Sequence, residues 1–250
     1  ADDFIQKPFE KAILDARISN CIEKKQLHDK EKELITELEK EREKSDNLLF
    51  NILPKDIADR LKAGETNISN KHYDITILFA DIIRFTPQAK LMKPEDIVLT
   101  LNNIFTEFDT LAQRFGLEKI KTIGDSYFAV SGLNGEKSRS AINTIFFGIE
   151  ILKSIKIINK SNNLMDLQLR VGIHSGPAVS GVIGKKKFAF DIWGSAINFA
   201  NRLETTCPKG KIHISEETKK LIENEKRFNI EPLKKIDIKG IGEVQTFTVS

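Results

Sequence analysis

Long apolar runs are missing from this 250-residue chain. No stretch approaches the roughly 18 uninterrupted apolar residues of a membrane span. The richest segment, Ile142 to Ile158, is broken by Gly148, Glu150, Lys153 and Lys156 and predicts a buried helix instead. Cysteine is scarce. Cys21 and Cys207 lie far apart, which excludes a disulfide framework and a cysteine metal knuckle and predicts a reducing, cytoplasmic home. The first residues lack the basic and apolar regions of a secretory leader. Charge of one sign is also lacking: 39 basic against 36 acidic residues give +3, so bulk electrostatics do not call for nucleic acid. The run Lys185-Lys186-Lys187 reads as a solvated turn. No Walker-type phosphate loop, G-x-G-x-x-G turn or nucleophile–base set is present.

What remains is a globular balance, 40% apolar and 30% charged, which is too apolar for a disordered chain. The length allows one domain plus an extension. Lys24 to Lys44 is dominated by Glu, Lys and Leu with no Gly or Pro, a strongly helical composition. Leu27, Leu34 and Leu48 share one seven-residue frame, and Leu38 and Ile52 a second, interrupted by Glu41 and Ser45. This partial heptad predicts a parallel helical stalk over 26–53, joining two protomers. Pro54 resets the chain, Ile57, Ala58 and Leu61 suggest a short helix, and 65–72 reads as a loop.

Beyond it strand and helix alternate. Strands are expected over Asp74–Ile83, Lys119–Val130 (a hairpin turning at Gly124-Asp125), Leu167–His174, Ala178–Ile183 and Phe188–Ile192. Helices are expected over Pro94–Phe115, Ser138–Ile158, Ala196–Glu204 and Glu216–Glu223, with two strands closing at Val249. The central order β-α-β-β-α-β predicts an α+β, ferredoxin-like core.

Two acids stand out. Asp81 ends an apolar strand and Asp125 follows Gly124 in a turn. A carboxylate at the end of a buried strand needs a partner, and two on neighbouring strands suit a magnesium-type cation that also takes phosphate oxygens. Two acids capping unrelated turns is the alternative that spacing leaves open. Asn198 and Arg202, four apart, share one helix face; a ribose-and-phosphate clamp and a solvated polar face both fit. His174, after a strand, reads as a packed residue.

The segments Leu78 to Thr86, Lys119 to Tyr127, Val171 to Pro177 and Phe190 to Arg202 resemble, in order, the motifs of class III adenylyl and guanylyl cyclases. The resemblance runs from about Asn51 to the C-terminus. It implies a catalytic domain over 54–250 that makes cyclic AMP and pyrophosphate from ATP. Asp81, Asp125 and the Ile82 carbonyl look like ligands of two Mg2+ (or Mn2+) ions. Lys121 and Asp191 stand where the family reads the purine. Lys can donate to adenine N1 and Asp can accept from N6, whereas guanine would call for an acceptor that an ammonium cannot be. Asn198 looks like the ribose-orienting residue, Arg202 like the group opposing charge on the α-phosphate, and Lys239 like a ligand of the terminal phosphates. The first motif often has Gly where this chain has Arg84. The family's sites lie between two domains, which implies a homodimer. A guanylate cyclase, and a non-catalytic nucleotide-sensing module, are the alternatives. The Gly-Gly-Asp/Glu-Glu-Phe signature of diguanylate cyclases is absent.

Residues 1 to 9, with Lys7-Pro8, resemble the end of a response-regulator receiver domain, with Glu10 to Lys25 as its last helix. This implies a receiver remnant over 1–25, a longer full-length protein and an upstream receiver or other sensory domain.

Overall fold

The computed structural model describes residues 10–133, 137–161, 167–184, 186–238 and 242–250. The chain divides into two units between Ala63 and Gly64. The first holds α1 (Lys11–Phe50) and α2 (Lys55–Lys62). Here α1 is one uninterrupted 40-residue helix with no buried residue, so no break separates the expected receiver helix from the stalk. The Lys7-Pro8 pair lies outside the described residues. Asp46 and Lys62 pair at 2.8 Å across the α1–α2 corner.

The second unit runs β1 (Ser69–Ile82), α3 (Phe85–Ala89), α4 (Pro94–Phe115), β2 (Glu118–Ile123), β3 (Ser126–Ser131), α5 (Lys137–Ser161), β4 (Leu169–Ile183), β5 (Ala189–Trp193), α6 (Ser195–Thr206), β6 (Ile212–Ser215), α7 (Glu216–Ile222), β7 (Ile230–Ile238) and β8 (Gly242–Val249). The sheet order is β2-β3-β1-β4-β6-β8-β7, with β5 paired to β4. Its first four strands are mutually antiparallel, and with α4 and α5 as crossovers they form the expected ferredoxin-like α+β core.

Both β1 and β4 run further than the sequence suggested. β1 begins at Ser69 inside the expected loop, because Ser69 to His72 pair with Ala178 to Gly181. Ser175-Gly176-Pro177 is not a break between strands, since β4 is continuous through it. The β1–β4 register shifts between His72 and Ile75, opposite this segment. An irregularity in the ladder is where a strand tolerates a proline that has no N–H to donate.

β1 has both faces covered. Leu78, Ala80 and Ile82 join the core with Phe108, Tyr127 and Ile145, on the side of α4 and α5. Ile75, Ile77 and Phe79 join Phe128, Ala196 and Ala200, on the side of α6. Strand period two therefore puts Asp81, next after Phe79, on the α6 side. α6 lies close because Gly172 of β4 has no side chain: a Cβ there would stand 2.1 Å from the Glu204 nitrogen and 2.5 Å from the Ala200 oxygen.

Candidate active site

The edge of the β1–β3–β4 sheet gathers the acids. Asp81 lies in register with Ser126 on one side and with Arg170 on the other. Asp125 is the residue before Ser126, in the two-residue hairpin that Gly124 opens with φ +62°, as hairpins with glycine in the first loop position require. The two carboxyls sense each other. Burial, and after it the Asp81 charge, push the Asp125 carboxyl above its usual range, against the pull of its own backbone hydrogen bond and of Arg170. A pair of repelling carboxylates is the arrangement a cation relieves.

Arg170 stands beside them and was not singled out in the sequence. Its Nη2 donates to Asp81 Oδ2 at 2.6 Å and its Nη1 to the Thr205 carbonyl at 3.1 Å. Its Nε sits 3.0 Å from Glu204 Oε1. That last contact is an ion pair too poorly aligned to count as a hydrogen bond. Glu204 is only 4% exposed. Burial first, then the Asp81 and Asp125 charges, lift its carboxyl to about 7, with Arg170 opposing. Both residues left a trace in the sequence: Arg170 is a charge inside an apolar strand, and Glu204 continues the small apolar stripe Ala196, Ala200 at helical spacing.

Asp81, Asp125 and the backbone carbonyl of Ile82 at the end of β1 are hard oxygen donors, the chemistry of Mg2+ or Mn2+. Among the described residues no group of three His, Cys, Asp or Glu side chains gathers. Two carboxylates do not complete an octahedral shell, and this fits a cation that shares its remaining positions with water and substrate phosphate. The donor set and the strained acid pair thus fit such an ion.

Lys121 of β2 and Asp191 of β5, seventy residues apart in sequence, meet: Lys121 Nζ donates to Asp191 Oδ2. Asp191 Oδ1 accepts the Ile192 N–H at 2.9 Å, which fixes the carboxylate plane. Asn198 and Arg202 are exposed on α6 and have no side-chain partner among the described residues. Two residues of helix are about 200° of rotation. Asn198 and Arg202 therefore face away from the buried Ala196–Ala200–Glu204 stripe that looks toward Asp81. One chain carries both halves of the expected site without bringing them together. Lys239 lies outside the described residues. His174 is packed as expected, stacked on Phe199 at 4.3 Å with Nδ1 2.8 Å from Ser215 Oγ; burial lowers its pKa to about 4.

Arg84, between β1 and α3, has φ 60° and ψ 24°. The backbone of this loop keeps the left-handed shape that suits glycine, although the residue is arginine. No helix among the described residues is long and apolar enough to cross a membrane.

Residues 68–250 match the family model described as adenylate and guanylate cyclase catalytic domain. Residues 11–61 match one described as heme NO binding associated. A membrane guanylyl cyclase of Dictyostelium discoideum is 36% identical over 78% of this chain and 13% of its own length. An adenylate cyclase of Mycobacterium bovis is 36% identical over 84% of this chain and 47% of its own. Thus the chain spans less than half the length of these relatives. The catalytic core of a rhodopsin-guanylyl cyclase with converted specificity, in complex with ATPalphaS, superposes with a TM-score of 0.66 at 32% identity, over 73% of this chain and 97% of that one. The ordered motifs, the βαββαβ sheet and the acid pair on its edge agree with these matches, and the chain belongs to the class III adenylate and guanylate cyclase catalytic-domain family.

Proposed function

We propose that this chain is an adenylate cyclase that converts ATP to 3′,5′-cyclic AMP and pyrophosphate at two sites shared across a homodimer. The observation that carries the base choice is the Lys121–Asp191 pair. Its ammonium donates and its carboxylate accepts, the complement of adenine N1 and N6. Relatives of similar identity include both adenylate and guanylate cyclases, so this pair, and not overall likeness, supports ATP.

In the proposed reaction the ribose 3′-oxygen attacks the α-phosphorus, the bond to the β-phosphate oxygen breaks, and the hydroxyl proton passes to water. Two Mg2+ (or Mn2+) ions held by Asp81, Asp125 and the Ile82 carbonyl would supply the lowered 3′-hydroxyl pKa and neutralise the triphosphate. Asn198 orients the ribose. Arg202 opposes the charge that grows at the α-phosphate, an interaction that strengthens in the transition state and so raises turnover. Lys239 is assigned to the terminal phosphates. The half-turn between Glu204 and Arg202 supports the shared site, since one chain offers its acids on one side of α6 and its Asn–Arg pair on the other.

The stalk supports the same dimer: Leu27, Leu34, Leu38, Leu48 and Ile52 are all exposed on or just after α1 and form a seam for a second copy. A sensory domain upstream would act through it. The receiver reading rests on residues 1–25, and the match of 11–61 supports a neighbour of the heme NO binding associated kind instead.

Incubating the chain with ATP or GTP, plus Mg2+ or Mn2+, tests the reading. Cyclic AMP from ATP alone, lost in Asp81→Ala, is expected; cyclic GMP would overturn the base argument and leave the mechanism. Lys121→Glu should shift the preference toward GTP. Mixing Asp81→Ala with Arg202→Ala chains should restore up to about a quarter to a half of the activity, and no recovery would sink the shared site.

A further inference from the structure

Arg170 uses its whole guanidinium. Each of its three nitrogens meets a different partner: Asp81 on β1, the Glu204 side chain and the Thr205 carbonyl, both near the end of α6. The three contacts span 2.6 to 3.1 Å. Two of the partners lie within three residues of Arg202. The Arg202 carbonyl is itself held by the Thr205 and Thr206 hydroxyls at 3.0 and 2.8 Å. Gly172, two residues after Arg170, keeps α6 in backbone contact with β4, so a force on this end of the helix is not absorbed by a soft layer of side chains.

We propose that Arg170, held by Glu204, is a positioning residue that links the two sites of the dimer. It ties the metal-binding carboxylate a protomer gives to one site to the helix that presents Asn198 and Arg202 to the other. This rests on the shared-site reading above. The physical reason is competition for one carboxylate. In the metal-free chain Asp81 is neutralised by Arg170. A divalent cation on Asp81 takes that charge, and the guanidinium is left to Glu204 and the Thr205 carbonyl, both on α6. The hold on the end of α6 therefore differs between the cation-free and cation-loaded protomer. Linkage makes the effect reciprocal: nucleotide gripped by Arg202 on the outer face of α6 changes cation affinity at the same protomer's Asp81, which serves the opposite site. Couplings of this kind are typically about 5- to 150-fold.

The test is amide hydrogen exchange on the full chain, metal-free and with Mn2+ alone, with Mn2+ binding followed independently by its electron paramagnetic resonance signal. Mn2+ should change the protection of amides 203–207 at the end of α6 on the order of fivefold or more. Asp81→Asn should reproduce the loaded pattern without Mn2+. Arg170→Gln should bind Mn2+ and abolish the response. Because that substitution strands Glu204 as a buried charge, the double variant Arg170→Gln/Glu204→Gln, which keeps a neutral hydrogen-bonding pair, serves where the single one does not fold; it too should bind Mn2+ without the α6 response. Mn2+ binding with unchanged α6 protection overturns the link, while complementation of Asp81→Ala by Arg202→Ala would still stand. An α6 response in chains that fail to complement overturns the proposal from the other side, because the link would then run within one site.

Discussion

α1 and β1 are both regular elements rich in apolar residues, and they meet opposite fates. Over 40 residues α1 buries nothing. In β1, six consecutive residues from Ile75 to Ala80 are buried, and both faces are covered. The strand is held by what the chain itself supplies. The helix has its leucines in water and depends on helix propensity, on local ion pairs such as Lys44–Glu41 at 2.6 Å, and on whatever surface it meets. Exposed pairs of this kind contribute little, so a long helix with a bare seam is a statement about a partner, whereas the sheet is a statement about the fold.

The largest expected effect breaks the self-sufficient side. Gly172→Ala puts a methyl 2.1 Å from the Glu204 nitrogen, where only backbone can yield. The variant should lose about 3 kcal/mol or more, read as a lowered urea midpoint. The same substitution at Gly210, where a Cβ meets nothing but φ is +66°, should cost only the left-handed strain, about 1 kcal/mol. Equal losses at both positions would mean that α6 does not pack on β4 as described.

Next comes the dependent side. Leu34→Lys with Leu38→Lys removes two exposed leucines from α1. Unfolding of the catalytic unit should not change. The dimer constant from sedimentation should weaken at least about a hundredfold, because each leucine lost from a seam is worth ~2 kcal/mol. A dimer indifferent to both substitutions would place the self-association elsewhere and leave the helix without its proposed partner.

The third prediction uses charge inside the sheet domain. The folded-state pKa of Glu204, about 7, lies above the ordinary carboxyl value of 4.5. Between those two values the folded chain keeps a proton that the unfolded chain gives up. The group therefore favours folding fully below about pH 4.5, loses that contribution as pH rises, and penalises folding fully above 7. His174 and His213, held neutral by burial, work the other way and lose stability as pH falls below their unfolded value of 6.5. The difference between wild type and Glu204→Gln isolates the carboxyl. With metal chelated, wild type should lose on the order of 2 kcal/mol relative to the variant between pH 5 and 8, and parallel profiles would show that Arg170 has already neutralised the acid.

The elements with strong periodicity were legible in the sequence: the α4 face, the β2–β3 hairpin, the acids at the strand end, and the Asn198–Arg202 face. What was hidden depends on contacts between distant segments. Pro177 looked like a boundary because nothing local shows that the register shift on β1 lies opposite it. Arg170 and Glu204 are 34 residues apart, and each read as an ordinary charge until register set Arg170 against Asp81 and helix spacing turned Glu204 inward. Lys121 and Asp191 needed β2 and β5 to bring them together, and only the family resemblance put them in one role beforehand.

Arg84 carries the smallest prediction and joins the two halves of the comparison, since it is an exposed residue whose effect comes from backbone alone. At φ 60° its Cβ crowds the carbonyl that follows, which costs an L-residue roughly 1–2 kcal/mol. Arg84→Gly relieves that strain and gives back some of it through the greater freedom of glycine in the unfolded chain. A net gain of about 1 kcal/mol, seen as a melting temperature a few degrees higher, is expected. The loop follows directly on Asp81 and Ile82, so the same variant reports on the cation site. Unchanged Mn2+ affinity alongside the gain would mean that the arginine is tolerated there without serving the ion. A fall in affinity that exceeds the change in stability would mean that the side chain helps to set the loop around the carbonyl of Ile82.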